Sequence, residues 1–251
     1  MELEALNCDV PSPRYVAMSS LFFLLLKSKA LISILSMLAT IWVYAQFFGW
    51  PFAAGFVILL AVHEMGHYLA AKQRGLSVGL PAFIPFVGAM INLRETPHNA
   101  ETEAYVAYAG PFIGTLGAFA CYFYGRNTGQ ELYIALAYSG FMLNLFNLIP
   151  VSPLDGGRIT QVLSPRIWLL GLPLLVALFY YHPSPLLLMI AVMALPNLRA
   201  AWNYNPNAPE NIAYRDVSFA VRVEYGVLYL GLAAVLAMMA YSVHASLSLA
   251  R

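Results

Sequence analysis

Long apolar runs separated by short polar stretches dominate this chain. A helix needs about 20 mainly apolar residues to cross the hydrocarbon core of a bilayer. Seven runs approach that length: Ala30–Phe48, Phe52–Ala71, Ala104–Tyr124, Leu132–Ile149, Ile167–Tyr181, Pro185–Trp202 and Tyr225–His244. The fifth is short, and only His182-Pro183-Ser184 parts it from the sixth, so the two could form one tight helical hairpin. Leu21–Leu26 reads as an interfacial helix feeding the first run. The stretch Leu76–Leu93 is apolar too, but it carries Gly79, Pro81, Pro85 and Gly88 among β-branched and aromatic residues. That mixture suits short strands better than a helix. Backbone of this kind at membrane depth needs protein or a watery cavity around its polar groups. A re-entrant hairpin satisfies that condition, and a plain surface loop is the alternative. Farther along, Asn203–Asn211 reads as a Pro/Asn-rich linker and Tyr214–Arg222 as an amphipathic surface helix.

Composition says which solvent these runs meet. The 251 residues are 61% hydrophobic and 10% charged, with mean hydropathy +0.69. Soluble domains carry about 25% charged residues, and no soluble fold of this length hides so much apolar surface. The expected fold class is an all-α polytopic membrane protein of six to seven transmembrane helices with a small re-entrant β-hairpin. It is expected to be a single domain over 1–251, with a core at about 50–160 and C-terminal helices at about 166–244. A net charge of +1 argues against nucleic acid as a partner. Cys8 and Cys121 are too far apart to suggest a metal pair. The first 20 residues do not resemble a cleaved signal peptide, and there is no internal repeat.

Basic residues orient the runs. With the N-terminus in the cytoplasm, seven spans put 11 of the 13 Lys and Arg residues inside and leave Arg126 and Arg251 outside. Such asymmetry is what the positive-inside rule requires. A six-span arrangement with the last run lying on the surface remains open.

Chemistry concentrates in the second run, at His63-Glu64-Met65-Gly66-His67. Residues four apart on a helix share a face, so both imidazoles can grip one Zn²⁺. Glu64 beside them can take a proton from a water activated by the metal. Ionisable residues are costly inside a membrane, and there they mark function by default. A third protein ligand is needed, and Asp155 in Asn147-Leu-Ile-Pro150-Val-Ser-Pro-Leu154-Asp155-Gly156-Gly157 is the best candidate. It follows the fourth run on the side of the membrane where His67 lies. Pro150 and Pro153 break the helix so that the chain can fold inward, and Gly156 and Gly157 permit backbone conformations closed to other residues.

The two motifs together resemble the site-2 protease family of intramembrane metalloproteases, and Ala109-Gly110-Pro111 between them is similar as well. The resemblance covers roughly the second to fourth runs. It implies one Zn²⁺ per chain held by His63, His67 and Asp155, with Glu64 as general base and acid. It also implies that Asn147 helps to position substrate or stabilise the oxyanion. An interhelical hydrogen bond is the alternative role for Asn147, and Asn144, one turn earlier, is expected to be structural. Two features depart from the family pattern. Relatives often carry an asparagine shortly after Gly-Pro, where this chain reads Phe112-Ile113-Gly114. The short connections also leave no room for PDZ or nucleotide-sensing CBS domains, so a minimal catalytic core is expected, in a prokaryotic plasma membrane.

The implied reaction is hydrolysis of a peptide bond in a transmembrane segment, with the bilayer and a transmembrane protein or peptide as partners. A metal transporter and a catalytically silent client-binding relative are the competing classes. Transporters show paired repeats and polar residues spread along a pathway, and neither is visible. Among weaker signals, His98 could be a gate or an extra ligand, though a solvated loop residue fits it better. Glu101 and Glu103 suit the start of the third helix. Arg158 could pair with Asp155 or a substrate carbonyl, or act as a cytoplasmic anchor.

Overall fold

In the computed structural model, residues 29–86, 88–90, 95 and 97–249 are described. Leu21–Leu26, Cys8 and the segment 91–94 lie outside the described residues. The described chain runs α1 (Lys29–Phe48), α2 (Trp50–Gln73), β1 (Ala82–Ile84), β2 (Gly88–Met90), α3 (Ala100–Thr128), α4 (Glu131–Asn147), α5 (Asp155–Thr160), α6 (Trp168–Tyr181), α7 (Pro185–Trp202), α8 (Pro209–Tyr214) and α9 (Phe219–Leu249). Of these, α1, α2, α3, α7 and α9 are long and apolar enough to cross a membrane. The protein is a mostly helical, multi-pass membrane protein.

The two remaining apolar runs make shorter helices than the sequence suggests. The fourth ends at Asn147 instead of Ile149, giving 17 residues, because a residue before proline is pushed out of the helical region. The fifth loses Ile167 to a 3₁₀ turn over Pro165–Ile167, and α6 has 14 residues. At 1.5 Å per residue that is about 21 Å, short of the roughly 30 Å hydrocarbon core.

Helix boundaries follow local chemistry. Gly49, at φ 80°, parts α1 from α2, whose first turn contains Pro51. Asn99 caps α3 by accepting from the Thr102 amide at 2.8 Å, with Glu101 and Glu103 in the first turn. His98, beside Asn99, is solvent-exposed.

Small residues let α2, α3 and α4 meet at the centre. A Cβ on Gly66 of α2 would lie 2.4 Å from the Ala109 carbonyl oxygen of α3, and one on Gly140 of α4 would lie 2.9 Å from the Ala118 side chain. Close backbone approach of this kind is how helices associate where lipid removes the hydrophobic drive. Phe141 fills the space beside these contacts, fully buried and edge-on to Phe119 at 5.0 Å. On α9, Tyr225, Leu232, Leu236, Ala240 and Val243 form one buried stripe at helical spacing in the same cluster. Large apolar side chains such as Leu170, Leu195 and Leu230, each more than half exposed, cover the outside.

The strand-like stretch does form strands. β1 and β2 pair antiparallel, with Ala82 opposite Met90 and Ile84 opposite Gly88. The hairpin is held by α1: Ser33 donates to the Pro81 carbonyl, while Ser36 Oγ accepts from the Phe83 amide at 3.1 Å. At the turn, Tyr44 Oη accepts from the Phe86 amide at 3.0 Å. Phe86 has φ 63°, unfavourable for a side chain of its size. Its ring packs edge-on against Tyr44 and Phe47, at 5.3 and 5.7 Å, which offsets that strain.

The surface helix expected over Tyr214–Arg222 is not continuous. α8 stops at Tyr214 and α9 starts at Phe219. The Arg222 guanidinium donates to the carbonyls of Leu163 at 3.0 Å, Arg215 at 2.9 Å and Val217 at 3.4 Å. Those carbonyls are therefore satisfied without a helix.

Gly66→Ala should lower the thermal denaturation midpoint in detergent, by an amount equivalent to about 1–3 kcal/mol for overpacking. Gly231→Ala, on α9 with open space around it, should leave the midpoint unchanged; equal effects would refute the close-packing account.

Candidate metal centre

Successive turns of α2 carry His63 and His67, and the loop after α4 brings Asp155 to them as the first residue of α5. Asp155 Oδ2 lies 3.2 Å from both His63 Nε2 and His67 Nε2, which are 3.1 Å apart. All three residues are more than nine-tenths buried.

The remaining ring nitrogens decide what this cluster suits. His63 Nδ1 lies 2.8 Å from Asn144 Oδ1, and His67 Nδ1 lies 2.8 Å from the Val106 carbonyl oxygen. The Asn144 amide nitrogen donates to the Gly140 carbonyl at 2.7 Å, which turns its oxygen toward His63. Both partners are acceptors, so each Nδ1 carries the proton and each Nε2 presents a lone pair. Two lone pairs and a carboxylate oxygen therefore converge in a buried space, an arrangement that a cation relieves. Ligands on a tetrahedral zinc with bonds of about 2.0–2.1 Å sit about 3.3 Å apart. The observed spacings fit zinc, with three protein ligands and one position left over.

Glycines make room for these side chains. A Cβ on Gly110 would fall 2.2 Å from the His67 ring, and one on Gly114 would fall 2.3 Å from Asn144 Oδ1. The amide that meets this part of α3 is that of Asn144 on α4. Gly156 and Gly157 serve Asp155 differently from the sequence expectation. Neither has positive φ. A Cβ on them would collide at 2.2 Å with the Leu148 carbonyl oxygen and the Ser152 nitrogen, respectively. Space, and not backbone freedom, calls for glycine here. Trp168 Nε1 donating to the Gly157 carbonyl at 2.7 Å and Tyr229 donating to the Leu148 carbonyl at 2.6 Å pin the loop.

A cavity of about 260 Å³ opens on the cluster. Glu64 lines it, as do Asn147, Gly88 and Ala89 of the hairpin, and Met189 and Met193 of α7. Asn147 is partly buried, and its amide donates to the Leu143 carbonyl at 3.2 Å, leaving a second amide hydrogen for another acceptor. Exposed His98 is not among the cavity's residues.

Residues 51–132 match the model for peptidase family M50, a segment that contains His63, Glu64 and His67 and stops before Asp155. A zinc metalloprotease of Methanocaldococcus jannaschii is 32% identical over 114 residues, 43% of this chain and 33% of that protein. Residues 51–132 are therefore similar to peptidase family M50. Rip3 of Mycobacterium tuberculosis, which bears a zinc metalloprotease name, is 34% identical over 120 residues, 43% of this chain and 30% of that protein. A solved site-2 protease from Methanocaldococcus jannaschii aligns with TM-score 0.44 and 21% identity over 68% of this chain and 87% of that one. The matches span about a third of the length of the curated relatives.

A polar network reaches the His63–His67–Asp155 cluster from outside. Arg158 Nη1 lies 3.7 Å from Asp155 Oδ1, the oxygen turned away from the histidines, and Arg158 Nε lies 3.6 Å from Glu103 Oε1. Glu103 also accepts from Gln161 and Tyr214. Burial and the Glu103 carboxylate push the Tyr214 hydroxyl up, so it stays a donor. Asn144 is the site residue whose importance the sequence understated. Its spacing places it on α4, but its partner His63 is 81 residues away.

Asn144→Leu should weaken zinc binding about 10–100-fold, the usual cost of losing such a partner, measured by chelator competition with helical content by circular dichroism as control. Unchanged affinity would show that Asn144 does not orient His63.

Proposed function

We propose that this chain is an intramembrane zinc metalloendopeptidase that hydrolyses peptide bonds in transmembrane segments of protein substrates. One observation carries the proposal: a buried His63–His67–Asp155 cluster and Glu64 share a single cavity among helices apolar enough to span a bilayer. In this reading His63, His67 and Asp155 hold the metal, and Glu64 is the catalytic base and acid. The residues act as one domain, and the six to seven spans are oriented with the N-terminus in the cytoplasm. His63 then lies roughly 20 Å along α2 from its outer end, at 1.5 Å per residue. That puts it in the cytoplasmic half of the bilayer core. The hairpin is re-entrant, reaching the site at membrane depth.

Zinc held there lowers the pKa of a bound water and polarises the scissile carbonyl. Glu64 removes a proton from the attacking water and returns it to the departing amine. A helical substrate hides its amides, so it must unwind before attack. The β2 residues Gly88 and Ala89 line the cavity, where a free strand edge can pair with the extended substrate. The spare amide hydrogen of Asn147 suits the oxyanion that develops on the carbonyl oxygen. No observation favours the transporter or the silent client-binding reading.

Cleavage of a transmembrane peptide by purified protein in detergent tests the proposal. Glu64→Gln should abolish cleavage while zinc content by metal analysis stays at one per chain; residual cleavage would remove Glu64 from the mechanism. Asn147→Ala should lower kcat about 10²–10³-fold, the range for an oxyanion donor. A change confined to KM would assign it to substrate binding instead.

A further inference from the structure

A second cleft, of about 450 Å³, lies where the segment after α5 meets α8 and the start of α9, away from the metal cavity. Arg166, Arg215 and Arg222 line it together with Tyr204. All three guanidiniums are spent on uncharged acceptors. Arg166 donates to the Tyr204 carbonyl at 3.3 Å, Arg215 to the Gln161 carbonyl at 2.6 Å, and Arg222 to three carbonyls. Among the described residues none of them has a carboxylate within ion-pair distance, in contrast to Arg74 and Arg158. Arg215 Nε is buried and is the one buried side-chain donor without a hydrogen-bond partner among the described residues. The single acid in the lining is exposed Asp216. Three cations against one anion in a partly enclosed cleft make a site for a polyoxygenated anion, and planar guanidiniums match phosphate best.

The surroundings indicate what carries the phosphate. Trp202, at the end of α7, is 76% exposed, and Phe219, at the start of α9, is 81% exposed. Ile212, in the cleft lining itself, is 57% exposed. Both flanking aromatics stand at the ends of helices long enough to span the bilayer, the level at which aromatic belts meet lipid headgroups. Exposed apolar groups beside paired basic ones are what a headgroup with acyl chains would cover. We propose that this cleft binds the phosphate group of an anionic phospholipid, with Arg166, Arg215 and Arg222 as its ligands. The site stands apart from Glu64 and the metal ligands, so its occupancy is measurable whether or not the chain cuts peptides.

The test is titration of the detergent-purified chain with phosphatidylglycerol, phosphatidylcholine and inorganic phosphate, with bound lipid counted by native mass spectrometry. Phosphatidylglycerol should bind saturably and about tenfold more tightly than phosphatidylcholine. Arg166→Glu should weaken it about tenfold, whereas Arg126→Glu, at the far end of α3, should not. Arg166 is exposed with one weak hydrogen bond, so the fold should tolerate the change. Asp216→Asn, which removes the one carboxylate in the lining, should tighten binding several-fold, a gain that misfolding cannot imitate. Equal binding of the two lipids, equal losses in the two arginine variants, or no gain in Asp216→Asn would overturn the site. Inorganic phosphate binding as tightly as phosphatidylglycerol would overturn the lipid as its occupant.

Discussion

Two imidazole lone pairs and a carboxylate, gathered within 3.2 Å of one another in a buried space, set the terms for the rest of the structure. Like-signed electron density in a low-dielectric interior is unfavourable without a cation. The protein must therefore hold the three groups together against their tendency to separate and rehydrate. It does so with helices that cannot move apart easily. His63 and His67 come from one helix and Asp155 from a loop that follows another, so the cluster depends on α2 and α4 staying in register with α3 between them.

α3 is the part of this arrangement that contributes no metal ligand and makes the site possible. Its Val106 carbonyl fixes the His67 ring, and Gly110 leaves the space the ring occupies. Gly114 does the same for the Asn144 amide, which fixes His63. One face of α3 thus serves both histidines, one directly and one through α4. Its N-terminal turn serves the third ligand, because Glu103 meets Arg158 and Arg158 meets the outer oxygen of Asp155.

Much of the site could be read from the sequence because its signals are local. The spacing of His63 and His67 depends on helix geometry alone, and the glycines and prolines of Leu76–Leu93 announce strands by composition. Asp155 needed a second motif to lift it above an ordinary Asp-Gly turn. What stayed hidden was the pairing of distant parts. No local pattern reveals that Ser33, Ser36 and Tyr44 of an apolar helix are hydrogen-bonding partners of a hairpin some 40 residues later. Nor does one show that Gly156 and Gly157 are required by the approach of the preceding loop. The break between α8 and α9 depends likewise on Arg222 reaching, besides two nearby carbonyls, that of Leu163, 59 residues away.

The uneven burial of the helices has a functional consequence. The apolar windows of α2 and α3 are 44% and 39% buried, whereas those of α7 and α1 are 28% and 11% buried. The ligands stand on α2 and beside α4, at the packed centre. The cavity wall facing this centre comes in part from α7 and from the hairpin, which is fastened mainly to α1. Elements with few buried contacts open at lower cost than the core does. A metal site needs donors fixed to within fractions of an ångström, while the polypeptide substrate proposed above would need walls that yield to let it in. In this chain those two demands fall on different helices, and the hydrogen bonds from Ser36 and Tyr44 couple the yielding wall to the helix with the least to lose by moving.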